Sequence, residues 1–382
     1  MLKFSFSEVT KRLRSAKSIK INEIIYKAKM SGSDPTVLSL GEAYFDIPNF
    51  GFDDALVQDG YHYSHSQGLP DLRNKIVGYL AKTHSAASLD MEDNIIISMG
   101  SKALTYMSMQ LVLNPSDEVL LHEPAWLSYE DQASLCGAVV RYIPYQASLQ
   151  DIAESISAKT KLIVINNPNN PAGSVYNFAE LQKLIAKAED LGVFVLVDEA
   201  YSDFSLTDEF TSAATLVPKY SNLIMVNSIS KNFGMSGWRI GFAIADKHII
   251  EKLTIINQHI VTCAPTMLQM YINKNFDAIL DVCKAEIDIL IRKRLKVEKL
   301  LKKYNFRYIE GGATFYFFVE LVAPGNNAAN LASELLEHNN IAVVPGDAYG
   351  KTTSHFIRLS FGTESIDRIE KALQIISNKT SQ

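Results

Sequence analysis

The sequence predicts an α/β fold with a mostly parallel, seven-stranded sheet between helices, accompanied by a smaller α+β unit. Three observations carry this reading. Short apolar runs recur at 94–98, 118–122, 139–143, 161–165, 193–198, 223–227 and 240–245. Segments with helical spacing of apolar residues lie between many of them, such as 103–113 and 179–191. Alternation of that kind favours parallel strands, with helical crossovers covering both faces. The polar motifs fall at or just after the ends of these runs, where parallel sheets place their ligands.

Beyond the last of these runs, helical spacing is sustained from 277 to 303 through Ile279, Leu280, Val282, Ile287, Leu290, Ile291, Leu295, Val297 and Leu300. An apolar run at 315–321, a helix near 327–338, strands at 341–344 and 355–361 and a final helix over 366–377 complete the chain. This tail reads as the smaller unit, and the first 45 or so residues are expected to join it. The expected division is 46–277 for the large unit and 1–45 with 278–382 for the small one. No internal repeat, low-complexity segment or Gly/Ser linker interrupts the pattern.

At 382 residues, with 47% hydrophobic and 21% charged side chains, the chain has the composition of a globular protein with a large core. The net charge of −5 and the lack of a basic tract argue against nucleic acid as a partner. No apolar stretch is long enough to span a bilayer, and the N-terminal residues show no signal-peptide h-region. Cys136, Cys263 and Cys283 are widely spaced, without metal-ligand spacing, and read as buried thiols in a reducing compartment. A cytoplasmic protein is expected.

Lys231 is the most informative residue. It follows the apolar run Leu223-Ile224-Met225-Val226 and lies in Ser228-Ile229-Ser230-Lys231-Asn232-Phe233-Gly234-Met235-Ser236-Gly237-Trp238-Arg239. A lysine at the end of a buried strand has an amine beside a cavity, and burial frees its lone pair for imine formation. Ser228 and Arg239 flank it and can grip a phosphate, which suggests a pyridoxal phosphate pocket. The competing reading is a surface lysine in a Ser/Gly loop.

Asp198 closes the apolar strand of Val195-Leu196-Val197-Asp198-Glu199-Ala200-Tyr201, a position where a carboxylate is costly unless paired. Opposite a pyridine nitrogen it would stabilise the protonated ring, and Tyr201 would reach the ring's 3-oxygen. Helix capping by Asp198 or Glu199 is the alternative. Asn166-Asn167-Pro168-Asn169-Asn170-Pro171-Ala172-Gly173 reads as a turn that places the Asn170 amide over the strand ends. Met99-Gly100-Ser101-Lys102 leads from a strand into a helix, whose first amides form an anion site. The chain carries neither a P-loop nor a dinucleotide fingerprint.

Taken in this order, the four motifs resemble the class I/II aminotransferases of the fold-type I pyridoxal phosphate enzymes, bacterial aspartate/aromatic-type members in particular. The likeness runs from about Lys17 to the final helix. It implies that Lys231 forms the internal aldimine and moves the Cα proton, and that Asp198 pairs with the pyridinium nitrogen. It implies that Asn170 and Tyr201 hold the 3-oxygen, while Gly100, Ser101, Lys102 (through backbone), Ser228 and Arg239 hold the phosphate. Trp126 matches the aromatic residue stacked on the ring, although by itself it reads as a core tryptophan. Tyr63 matches the tyrosine given to the neighbouring subunit's phosphate, which implies a homodimer. Arg358 matches the clamp for the substrate α-carboxylate, a bidentate task that suits a guanidinium, and Gly41 matches a glycine whose backbone meets that carboxylate.

The function implied is amino transfer between an L-amino acid and a 2-oxo acid by a two-step aldimine/ketimine route, with pyridoxal 5′-phosphate as cofactor and no metal. A lyase or decarboxylase on the same scaffold shares these motifs. A non-catalytic cofactor-binding module is a rival from another class. Departures from the family pattern lie on the substrate side, at Ala43-Tyr44, Ala172 and Ala313-Thr314. Lys102 is a candidate for reading a distal acidic group, against the simpler reading of a solvated lysine.

Overall fold

The computed structural model describes residues 5–13, 15, 17–206, 210–321 and 327–380. Its strands in chain order are β1 (Thr36–Val37), β2 (Ile95–Ser98), β3 (Glu118–His122), β4 (Val139–Ile143), β5 (Thr160–Asn166), β6 (Phe194–Asp198), β7 (Leu223–Ser228), β8 (Gly241–Ala245), β9 (Arg307–Tyr308), β10 (Tyr316–Glu320), β11 (Ile341–Ala342), β12 (Val344–Pro345) and β13 (Phe356–Ser360). The expected sheet is present, with seven strands ordered β2-β8-β7-β6-β5-β3-β4. All neighbours are parallel except β8, which runs antiparallel to both β2 and β7.

Side chains of the central strands alternate between two apolar layers, as a pleated strand requires. Ile163, Val195, Val197 and Met225 enter one core, and Leu162, Leu196, Ile224 and Val226 enter the other. Both faces are therefore covered, and the polar residues that end β5, β6 and β7 (Asn166, Asp198 and Ser228) lie together at one edge of the sheet. A four-stranded antiparallel sheet, β12-β13-β10-β9, has its own core with the final helix Ile366–Thr380. The N-terminal segment joins it: β1 pairs in parallel with β11, and Ser360 N–H donates to Leu38 C=O at 2.8 Å.

Three expectations need correction. Of the three cysteines expected to be buried, only Cys283 is; Cys136 and Cys263 are partly exposed. The long helix runs from Thr266 to Lys303, eleven residues earlier than the expected start at 277. Asn275 breaks its geometry at φ −108° and ψ 17°, so the apolar spacing changes phase there and the earlier turns are hidden from a periodic reading. The expected strand at 341–344 is two short strands in different sheets, because β11 takes β1 as its partner and β12 takes β13. No helix among the described residues is long and apolar enough to cross a membrane.

Candidate active site

A cleft of about 470 Å³ opens where the two sheets meet. Its floor comes from the ends of β5, β6 and β7, and its far wall from β10 and β13. Gly41, Ser101, Lys102, Trp126, Asn170, Asp198, Tyr201, Ser228, Lys231, Arg239 and Arg358 all line it, so the structure brings together residues up to 317 positions apart in sequence.

Lys231 lies in the single turn Ile229–Asn232 that follows β7, capped by the Ser228 hydroxyl, which accepts from Ser230 N–H at 3.3 Å. Its Nζ donates to the Gly41 carbonyl at 2.5 Å. Desolvation pushes the amine down to about 8, further favoured by the nearby Arg358, Arg239 and Lys102 charges and opposed by Glu42. The Glu42 carboxylate accepts from the Ser236 hydroxyl.

Asp198 is buried at the floor. Tyr129 Oη donates to one of its oxygens at 2.8 Å and Ala200 N–H to the other at 3.0 Å. Burial raises its pKa, against the pull of those two bonds. A carboxylate has about four lone-pair sites, so this one retains capacity for a further donor.

The turn 166–173 is built by its own amides. Asn166 Oδ1 accepts from Asn170 N–H at 2.7 Å, Asn167 Oδ1 from Tyr176 N–H at 3.0 Å, and Asn169 Oδ1 from Ala172 N–H at 3.0 Å. The turn reading therefore holds for the motif. Only the Asn170 side chain faces across the cleft, donating to Tyr201 Oη at 3.3 Å and accepting from Arg358 Nη1 at 3.2 Å.

Arg358, buried on β13, also donates to Ser39 C=O at 2.6 Å and stacks on Tyr316 with its guanidinium 4.5 Å from the ring centre. Its Nε has no partner, and among the described residues no carboxylate pairs with it. A Cβ at Gly41 would come within 3.2 Å of Tyr316 Oη and 3.9 Å of the Arg358 guanidinium, so glycine keeps the approach to this arginine open.

An anion cradle closes the other end. The helix Gly100–Val112 has no side-chain cap at its N-terminus, leaving amides free to face a ligand. Gly100 has φ +80°, and a Cβ there would lie 2.7 Å from Arg239 Nη2. At Gly241 a Cβ would lie 2.5 Å from Ser101 N. Backbone amides and a guanidinium thus converge only because two glycines permit it. Arg239 is steered by the Ser236 carbonyl at 2.5 Å and the Ser230 hydroxyl at 3.4 Å. Lys102 Nζ lies 4.9 Å from the centre of the Trp126 ring, and burial, with Arg239 nearby, lowers its pKa.

These groups fit pyridoxal phosphate: an amine at the strand end, a carboxylate with spare acceptor capacity at the floor, and a cation-and-amide cradle for a phosphate. Tyr63 is not in the cleft of its own chain; it is 86% exposed. Sequence reasoning missed Tyr129, which orients Asp198, and Tyr316, whose hydroxyl lies 2.8 Å from that of Tyr201. It also missed Ser230, Ser236 and Glu42 as cleft residues. The serines flank Lys231 in the motif already singled out, and their density there was the available signal.

Residues 54–376 match the family described as aminotransferase class I and II. An aspartate aminotransferase of Pyrococcus horikoshii is 30% identical over 96% of this chain and 97% of its own length. A protein of Aquifex aeolicus named a probable aspartate/prephenate aminotransferase is 31% identical over 95% and 97%. The crystal structure of the Thermotoga maritima aspartate aminotransferase superposes with a TM-score of 0.85 at 25% identity, covering 99% of this chain and 100% of that one. The family and its named members fix the reaction as pyridoxal phosphate-dependent transamination and do not favour a lyase or decarboxylase. The chain belongs to the class I and II aminotransferases, fold-type I enzymes that use pyridoxal phosphate to move an amino group between an amino acid and a 2-oxo acid.

Proposed function

We propose that Lys231 holds the cofactor aldehyde and serves as the base of the transfer. Asp198, Asn170 and Tyr201 would set the ring, the 100–102 amides with Ser228 and Arg239 the phosphate, and Arg358 with Gly41 the substrate α-carboxylate. One observation carries the reading. The amine of Lys231 is held on Gly41 C=O with its pKa lowered to about 8, in the same cleft as the uncompensated guanidinium of Arg358.

The cofactor, when bound, supplies an electron-withdrawing ring that stabilises negative charge at the substrate Cα. The chain supplies the rest. Arg358 binds and orients the carboxylate by a forked, charge-assisted contact, and Asn170 and Ser39 fix that fork from behind. Asp198 would hold a proton at the ring nitrogen, and its burial would strengthen that pairing because no water competes. Tyr129 and Ala200 keep its carboxylate from turning away. Lys231 Nζ would accept the Cα proton and deliver it again; its lowered pKa suits both directions near neutral pH. Trp126 would cover the ring and exclude water.

The proposal extends to finer points. Residues 46–277 would surround the cofactor, and residues 1–45 with 278–382 would carry the carboxylate site. The cores of the two sheets support this division, apart from Ile279 and Cys283, which pack with the large sheet, and Ala200, Tyr201 and Phe204, which pack with the small one. The amino donor would be an acidic L-amino acid, as the aspartate in the relatives' names suggests, or an aromatic one, as the aspartate/aromatic-type resemblance implies, with Lys102 at the mouth to meet a distal carboxylate. The working unit would be a homodimer in which Tyr63 reaches the neighbouring phosphate, located in the cytoplasm, where the free thiols Cys136, Cys263 and Cys283 stay reduced. A half-reaction screen tests the reading: amino acids are added singly to the holoenzyme and the cofactor's visible absorbance is followed. Acidic or aromatic donors should convert it; a protein that takes up the cofactor but responds to no amino acid would refute the substrate assignment.

A further inference from the structure

The two walls of the cleft belong to different sheets, and one buried carboxylate ties them together. Glu123 follows β3 and is 1% exposed. Lys351 N–H donates to one of its oxygens at 2.5 Å, and Thr352 N–H donates to the other at 3.0 Å. The Thr352 hydroxyl donates to that second oxygen as well. All three donors come from the loop between β12 and β13, the strand that carries Arg358. A Cβ at Gly350 would lie 2.5 Å from Glu123 Cδ, so only glycine lets this loop rest on the carboxylate. Alongside, Ala125 N–H donates to Tyr349 C=O at 2.8 Å.

Every donor to Glu123 is neutral, and among the described residues no cation pairs with it. Burying a carboxylate on neutral donors is costly, and an apolar side chain would fill the same space more cheaply. What a carboxylate adds is acceptor-only chemistry that gathers several donors of one loop into one arrangement.

Both ends of this contact lead into the cleft. Glu123-Pro124-Ala125 runs directly into Trp126, and Asn169 Nδ2 donates to Pro124 C=O at 3.0 Å, fixing the segment to the turn that presents Asn170. On the other side, the Tyr349 ring lies 5.5 Å from the Arg358 guanidinium and packs edge-on against Phe318 of β10 at 5.7 Å. We propose that Glu123 is a positioning residue: by latching the 350–352 loop it sets the separation between the Trp126–Asn170 wall and Arg358, and so the affinity for the substrate's α-carboxylate. The inference rests on the assignment of Arg358 to that carboxylate.

The test uses holoenzyme carrying Glu123→Gln, Thr352→Val or Thr352→Ser. Glutamine keeps one acceptor oxygen but turns an NH₂ towards an amide donor. Valine deletes one donor at nearly constant shape, and serine restores it. For each variant the half-reaction is measured with an amino acid that converts the wild type, and is resolved into half-saturation and limiting rate. Ligand-free absorbance of the bound cofactor is recorded alongside. The expected result is a half-saturation constant raised ~10-fold for Glu123→Gln and ~3-fold for Thr352→Val, on the scale of a lost charge-assisted hydrogen bond. Thr352→Ser should match the wild type, limiting rates should stay within about two-fold, and ligand-free absorbance should be unchanged. Unaltered half-saturation in the Gln and Val variants, with only a lower melting temperature, would show that Glu123 merely supports the fold. If Glu123→Gln does not fold, the Thr352 pair decides. Failure of the cofactor assignment itself would show differently, as wild-type protein without the absorbance.

Discussion

Lys231 has an amine whose ordinary pKa would leave almost none of it neutral at physiological pH. Burial to a value of about 8 leaves roughly one amine in ten free at pH 7. Cofactor capture should therefore speed up about ten-fold per pH unit below 8 and level off above it; stopped-flow absorbance against pH reads this directly, and Lys231→Ala should show no absorbance at all. The same shift has a stability consequence. The folded pKa lies below the unfolded one, so between about pH 8 and 10.5 the unfolded chain binds more protons. Cofactor-free protein should thus gain stability as pH rises through that window, and Lys231→Met should lose this increment. At Arg358, removal of a buried forked donor should cost on the order of 10²-fold in kcat/KM for α-carboxylate substrates. Arg358→Lys should recover only part of it, because an ammonium cannot reproduce the fork; kinetics equal to wild type in Arg358→Ala would remove this residue from the site. Lys231, Asp198 and Arg358 were legible in the sequence because a charged residue at the end of, or inside, an apolar run is costly and calls for a reason. Tyr129, Tyr316 and Glu123 were not. Each is an unremarkable residue in its own segment and acquires its role from a partner 69, 115 or 228 positions away.

At the scale of elements, the strands were legible because apolar runs between turn residues leave little choice of structure, and β3 and β4 have the expected bounds. The helix Gly100–Val112 begins three residues before the expected 103, since Gly100, Ser101 and Lys102 contribute nothing to an apolar period. Those three residues are the ones proposed to hold the phosphate. Their conformation is testable at Gly100, where alanine meets two obstacles: a φ of +80° and a guanidinium nitrogen 2.7 Å from the new Cβ. Gly32, at φ +87° with nothing within 4 Å of its position, offers the first obstacle without the second. Both alanine variants should lose about 1–2 kcal/mol of stability from backbone strain. Only Gly100→Ala should displace Arg239 and weaken cofactor retention, by roughly ten-fold or more in equilibrium dialysis. Equal retention in the two variants would mean that the cradle tolerates the displacement and that the phosphate is held elsewhere.

Across the whole molecule, the long helix Thr266–Lys303 joins the parts: Ile279 and Cys283 pack in the core of the large sheet, Ile287 and Leu290 in the core of the small one. The cleft therefore sits where two separately packed bodies meet, and the contact at Glu123 crosses between them. In the proposed homodimer a second chain is the remaining element. Tyr63 is 86% exposed, near Tyr61 at 71%, and it does not line the cleft of its own chain, while the family resemblance implies service to a neighbouring phosphate. A complementation experiment separates service in trans from service in cis. Lys231→Ala and Tyr63→Phe chains are unfolded together and refolded as a mixture. With random pairing, about half the dimers are mixed. If Tyr63 acts in trans, each mixed dimer has one site with both defects and one site with neither, because the Tyr63→Phe chain keeps its own lysine and receives the intact tyrosine of its partner. The mixture should then exceed the average of the two parent variants, with mixed dimers contributing about a quarter of wild-type activity. If Tyr63 acts within its own chain, no site regains both residues, and the mixture should equal the parental average.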